Sequence, residues 1–253
     1  MILLISVLLL AVVPDLSISS TQAEKLAERI WENECNRSYI GLTSWNPGEE
    51  HASLGIGHFI WSPQGKKSIF EETFPQLVMF METKGVKVPA WLKKGCPWKC
   101  EEEFWAKLDS KEMKELRGFL FETRTYQAEF IAKRLEKSLD KMCVNLTHAE
   151  KERLTANFSD LAQTESGLYA LIDYLNFKGD GTSPTEQYQE KGWGLKHVLL
   201  QMKKSESSSP LSAFTKAAQE LLTERVKNAP KEKNEERWLK GWMKRLESYT
   251  QTT

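Results

Sequence analysis

Three patterns of apolar and polar positions follow one another along the first third of the chain. The first is a continuous apolar run from Ile2 to Val13, broken only by Ser6 and ended by Pro14. Its length matches the apolar core of an export signal and falls short of a bilayer span. Ser17 and Ser19 then supply the small residues that a signal peptidase needs, which predicts a signal peptide over 1–19 and an exported protein, periplasmic or secreted. The second pattern is helical. Leu26 and Ile30 recur at helical spacing with Ala27 and Trp31 beside them, and Thr21 with Glu24 reads as a capping box, so a helix is predicted up to Cys35. The third covers residues 36–65, where Gly41, Pro47, Gly48, Gly55, Gly57 and Pro63 punctuate short β-branched and aromatic stretches. This predicts loops and a small β-hairpin.

Helical periodicity returns from Ser68 to Met81, interrupted by Pro75. A loop over 85–100 follows. One long helix is predicted from a box-like start at Asp109 and Glu112, with Leu116, Leu120, Phe130, Ile131, Leu135 and Met142 on its apolar stripe. Thr147 and Glu150 cap another helix, and Leu168, Leu171, Ile172 and Leu175 mark a buried one. Ser183-Pro184-Thr185-Glu186 reads as a helix start inside a glycine-rich stretch. Helices are expected again from Gly194 to Met202, from an opening at Ser209-Pro210 that follows a bend at Ser205 to Ser209, and beyond Pro230, where Leu239, Trp242, Met243 and Leu246 share a face. No repeat and no strand–helix–strand alternation is present, so the fold class is mainly α (α+β).

The 253 residues suffice for one domain, 20–253 after the signal, with room for two lobes. Lys plus Arg equals Asp plus Glu at 35 each, which argues against nucleic-acid binding driven by a basic excess. No later segment is apolar enough for stable insertion in a membrane. The four cysteines, Cys35, Cys96, Cys100 and Cys143, predict disulfides in an oxidising compartment, with three pairings open. A zinc site is disfavoured because His51, His58, His148 and His197 have no ligand spacing near the Cys pair, and neither metal nor cofactor is expected.

Candidate chemistry concentrates between Glu32 and Trp61. Glu34 closes the first helix, where apolar neighbours such as Trp31 favour a protonated carboxyl. Further acids, Glu49 and Glu50, follow the Pro47-Gly48 turn, and Ser53 leads into Gly55-Ile56-Gly57-His58. Glycoside hydrolysis uses such a pair: one carboxyl donates a proton to the leaving oxygen, the other supports the cation or activates water. Trp45 and Trp61 are candidate platforms for sugar rings. So are Asn176, Tyr188 and Trp193 in the amide-, aromatic- and glycine-rich stretch from Asp173 to Gly194. Glu32 is the reserve for Glu34, and His58 is read as structural.

The segment from Glu34 to Ser53-x-Gly-Ile-Gly-His58 resembles the active-site segment of phage-type lysozymes and, more broadly, the lysozyme-like superfamily. The resemblance is confined to Glu32–Trp61. It implies a lysozyme-like helical domain with a small β-hairpin near the N-terminus, Glu34 as general acid, and Ser53 where the family usually has Thr. Pro47 stands where the family's second acid usually lies, so Glu49 takes that role here. The implied activity is a muramidase-like glycoside hydrolase, and the implied partner is peptidoglycan or a related amino-sugar polymer. A non-catalytic carbohydrate-binding or envelope-scaffold protein of the same fold, or a chitosanase-like enzyme, remains open.

Overall fold

The computed structural model describes residues 16, 18–66, 71–203 and 208–250. The apolar run 2–13, Pro14 and Ser17 of the expected signal, the expected helix start at Ser68, and the bend over 205–207 lie outside the described residues. Among the described residues the chain is mainly α with a few short antiparallel strands, as the apolar periodicity predicts. No described helix is long and apolar enough to cross a membrane. The described chain forms two compact units, residues 18–134 and 135–250.

In the first unit, α1 (Ser20–Cys35) buries Ala23, Leu26, Ala27 and Ile30 along one stripe. Its cap is Ser19, not Thr21: the Ser19 hydroxyl accepts from the Gln22 amide, and the Gln22 side chain accepts from the Ser19 amide. An expected signal cut after Ser19 would therefore remove the true cap. Asn36 and Arg37, at φ 49° and 54°, end the helix in the left-handed region. The glycine-punctuated stretch then forms a three-stranded antiparallel sheet, β1 (Thr43–Ser44), β2 (Ala52–Leu54) and β3 (Phe59–Trp61), in that order. The predicted hairpin is thus present with one more strand.

Pro75 does not interrupt the next helix. It sits in the first turn of α2 (Phe74–Thr83), where a missing N–H costs nothing. A short α3 (Glu101–Ala106) precedes α4 (Lys111–Glu122), capped by the Ser110 hydroxyl rather than by Asp109. The single long helix expected up to Met142 is broken at Thr123, where α5 (Arg124–Met142) begins anew. The Thr123 hydroxyl donates to the Phe119 carbonyl at 2.6 Å, beside the Thr123 N–H that donates to the same oxygen at 3.1 Å. Arg117 on α4 is buried and donates to the Thr43 hydroxyl of β1 at 2.8 Å and to the Leu108 carbonyl at 3.1 Å.

In the second unit, α6 (His148–Ala162) opens with the predicted Thr147–Glu150 box, and α7 (Glu165–Lys178) with a Thr164 cap. Ser183–Glu186 starts no helix. The Glu186 carboxylate turns back to the Gly181 amide, and a two-stranded hairpin follows, β4 (Gln187–Tyr188) and β5 (Lys191–Gly192). Gln189 and Glu190 form its two-residue loop with φ 49° and 62°, the mirror-image turn that suits strand twist. Then come α8 (Leu195–Gln201), α9 (Pro210–Asn228), capped by Ser209 as expected, and α10 (Glu236–Glu247).

Asp173, buried on α7, collects the polar ends of this unit. It accepts from Arg245 Nε at 2.9 Å and Nη2 at 2.7 Å, from the Tyr169 hydroxyl at 3.1 Å, and from the Tyr249 hydroxyl. Removing the carboxylate takes away the acceptor that this guanidinium and the two tyrosine hydroxyls share. Asp173→Ala is expected to destabilise the chain by about 3–5 kcal/mol in urea unfolding. A loss below about 1 kcal/mol, the size of an exposed pair, would show that the node contributes little.

Candidate active site

The site begins with the end of α1. Glu34 occupies its last turn, where the helix dipole disfavours negative charge. Its side chain is only 20% exposed, and Oε2 lies 3.7 Å from Nδ1 of His58, whose side chain is 37% exposed. His58 reaches that position because its backbone is left-handed, at φ 47°. The two glycines before it are needed as glycines. A Cβ on Gly55 (φ 71°) would lie 2.3 Å from Gln127 Oε1, and one on Gly57 would lie 2.7 Å from the Phe59 ring.

Gln127, on the first turn of α5, locks this turn. Its buried amide oxygen accepts from the Ile56 N–H at 2.9 Å. Its amide nitrogen donates to the Leu120 carbonyl at 2.6 Å and the Thr123 hydroxyl at 3.3 Å. One side chain thereby satisfies both the break between α4 and α5 and the turn that carries His58.

The Cys35 thiol is pushed up to about 12, first by burial and then by the Glu34 charge. Burial likewise pushes Cys96 up to about 12. All four cysteines are free thiols, so the disulfides expected from the even count are not formed.

Glu49 sits on the loop between β1 and β2, held by its neighbours. Its Oε2 accepts from Asn46 Nδ2 at 3.0 Å and lies 3.5 Å from His51 Nε2, while its carbonyl accepts from Trp45 Nε1 at 2.8 Å. Ser53 is buried in the middle of β2, paired with Ser44 on one side and Ile60 on the other. Glu34 and His58 are thus brought together, whereas Glu49 is organised by residues of its own loop.

The expected aromatic platforms need correction. Trp45 and Trp61 are 2% and 1% exposed. Trp61 packs on Phe74 with ring centroids 4.7 Å apart and on Trp98 at 5.7 Å, and Trp45 packs on Phe104 at 5.8 Å. Both are core residues with no face left for a sugar. Of the other three, which belong to the 135–250 unit, Trp193 is also buried. It lies under the Arg225 guanidinium and against Tyr188, so it is structural too. Tyr188 is half-buried, with its hydroxyl donating to Glu235 at 2.8 Å, and Asn176 is exposed on α7.

Two groups here escaped the sequence reading. His58 was read as structural although Gly-x-Gly-His is the pattern that swings a side chain out of a tight turn. Gln127 left no local signal, being 71 residues from the amide it holds. A third, Glu186, was set aside as a capping residue. Burial raises its proton affinity, Asp180 adds to this, and the Gly181 and Ser183 amides oppose it. Among the described residues no three His, Cys, Asp or Glu side chains gather closely enough to hold a metal ion. No family model, characterised protein or solved structure matches the chain.

Two outcomes follow from this geometry. Gln127→Leu strands the Ile56 N–H and the Leu120 carbonyl, so a stability loss of about 1–3 kcal/mol is expected, with broadened or shifted His58 ring resonances in NMR. An unchanged His58 spectrum would show that the turn does not need the clamp. At pH 8, native Cys35 and Cys96 are expected to resist iodoacetamide and to react once unfolded; rapid native alkylation, mapped by peptide mass, would contradict their burial.

Proposed function

We propose that the chain is an exported glycoside hydrolase that cleaves the glycan strands of peptidoglycan or a related amino-sugar polymer by general acid catalysis from Glu34. The observation that carries this reading is the Glu34–His58 pair, a sheltered carboxyl 3.7 Å from an imidazole nitrogen that is nearer to solvent. Breaking a glycosidic bond requires a proton on the leaving oxygen as the bond lengthens. Glu34 is the donor. The carboxylate it leaves faces His58, which can take a proton from solvent, stabilise that carboxylate as an ion pair and return the proton.

Glu49 is the second carboxylate. Asn46 fixes its orientation, so it can support positive charge at the anomeric carbon or align a water without first reorganising. Ser53, held in β2, is the hydroxyl to which this reading gives the orienting of that water. The resemblance to phage-type lysozymes over Glu32–Trp61 points to the same roles, with His58 added here as the partner of the acid.

A zymogram on peptidoglycan tests the reading. The parent is expected to clear the gel, and Glu34→Gln to lose about 10²–10⁴-fold of that activity, the usual contribution of a positioned acid. Equal clearing by both proteins would remove Glu34 from the chemistry, and absence of clearing by the folded parent would remove the hydrolase reading.

A further inference from the structure

A cluster of aromatic rings in the first unit adjoins Glu34. Trp31 and Glu34 stand at i and i+3 on α1, so they are neighbours on the helix surface. Phe121, in the last turn of α4, meets Trp31 edge-on with ring centroids 5.3 Å apart. The Arg124 guanidinium, at the start of α5, lies 4.5 Å from the Trp31 centroid and 3.8 Å from that of Phe121. Arg124 is itself tied down, donating to Glu28 on α1 at 2.8 Å and to the Phe121 carbonyl at 2.5 Å. The rings are therefore held in place before any ligand arrives. Arg124 and Gln127 are also i and i+3, on α5, and Gln127 clamps the turn that carries His58. The cluster thus lies next to the acid along α1 and next to the clamp of its histidine partner along α5.

Tyr39 carries the cluster into solvent. Its loop is fastened to the end of α1. The Ser38 amide donates to the Cys35 carbonyl at 2.7 Å, and Trp31 Nε1 donates to the Ser38 carbonyl at 3.4 Å. Gly41 packs so closely that a Cβ there would lie 3.1 Å from the Cys35 carbonyl oxygen. The Tyr39 ring accordingly has a defined position, with its centroid 5.7 Å from that of Phe121. It is nevertheless 44% exposed, and Ile40 beside it is 61% exposed. Large apolar side chains exposed singly are ordinary, whereas contiguous ones beside a sheltered carboxyl mark a surface that something covers.

We propose that Tyr39, with Trp31 beside it, is the platform on which a sugar ring of the glycan strand stacks, adjacent to the sugar whose glycosidic oxygen Glu34 protonates. A pyranose has an apolar face of C–H groups and a rim of hydroxyls, which suits a rigid aromatic ring that is apolar in its body and wet at its edge. The flanking charges favour a neutral ring over an ion, because they are already matched: Arg124 with Glu28 at 2.8 Å, and Arg37 with Glu32 at 3.2 Å. The choice of ligand rests on the hydrolase reading above; the position and rigidity of the platform rest on this cluster alone. The role that composition suggested for Trp45 and Trp61 falls instead to rings that keep a surface in solvent.

Binding of soluble, peptide-free glycan strands of peptidoglycan to the full chain tests this, followed by Trp fluorescence or NMR. The Glu34→Gln background keeps the strand uncut during the measurement. There, Tyr39→Ala is expected to weaken binding about tenfold, and Tyr39→Phe, which keeps the ring, to stay within about twofold. Trp238→Ala removes a ring of the other unit that is 52% exposed, and is expected to have no effect. Binding that is absent, or undiminished by Tyr39→Ala, would overturn the proposal. So would an equal loss with Tyr39→Phe or Trp238→Ala, or a dimer of the free chain, seen by light scattering, that Tyr39→Ala dissociates. Tyr39-dependent binding by a parent that never cleaves the strands would overturn only the hydrolase reading. Cleavage by a parent whose binding is indifferent to Tyr39 would overturn only the platform.

Discussion

A buried hydrogen bond from the Ile56 N–H to the Gln127 side-chain oxygen sets the conformation on which the candidate site depends. Once the Gly55–His58 turn is folded into the interior, its backbone N–H groups lose water, and an N–H without a partner costs about 1–3 kcal/mol. Gln127 supplies that partner with a side chain that is itself fully matched, so the turn has one favourable arrangement rather than several. Gly55 is required because Gln127 comes so close, and His58 faces Glu34 because the turn has been closed in this way. Sheet, helix break and candidate chemistry thereby share one constraint.

The second unit meets the same demand with charges instead of amides. Asp173 and Glu235 are buried carboxylates, each met by an arginine fork, with two tyrosine hydroxyls added at Asp173 and one at Glu235. Two-pronged pairing with added hydroxyl donors is the geometry in which a buried ion pair recovers its desolvation cost. Lys178 meets it in another way: burial first, then Arg225 and Arg245, push its amine down to about 6, and it packs on Trp242 and Phe177. Glu186 is held differently, in a fold of glycine backbone, where φ values of +83° at Gly179 and Gly181 bring the chain against its carboxylate.

Sequence patterns revealed what is decided locally. The Thr147–Glu150 box and the Ser209 cap form as expected because donor and acceptor lie within three residues. The fold class follows from apolar periodicity for the same reason. Near misses arose where two neighbours could serve: Ser19 instead of Thr21, and Ser110 instead of Asp109, each a choice between similar caps that tertiary packing decides. The break at Thr123 and the Gln127 clamp involve α4, α5 and the Gly55–His58 turn together, so no window along the chain contains them. Trp45 and Trp61 were misjudged on physical grounds: an indole beside a candidate motif has the same composition whether it stacks on a sugar or fills the core, and only its burial distinguishes the two.

Backbone conformation bears on whether Glu34 and His58 meet by chance. A non-glycine residue in the left-handed region costs about 1–2 kcal/mol, and His58 accepts that at φ 47°. A histidine needed only to hydrogen-bond within the turn could do so from a relaxed backbone, as could any Asn, which tolerates this region better. What the strained conformation achieves is direction: it points the imidazole at Glu34 in the last turn of α1. Strain of this kind persists only where its surroundings over-determine it, here through Gln127 and the packing of Phe59 on Gly57. The buried clamp and the strained residue that it holds thus both bear on the separation of 3.7 Å between Glu34 and His58.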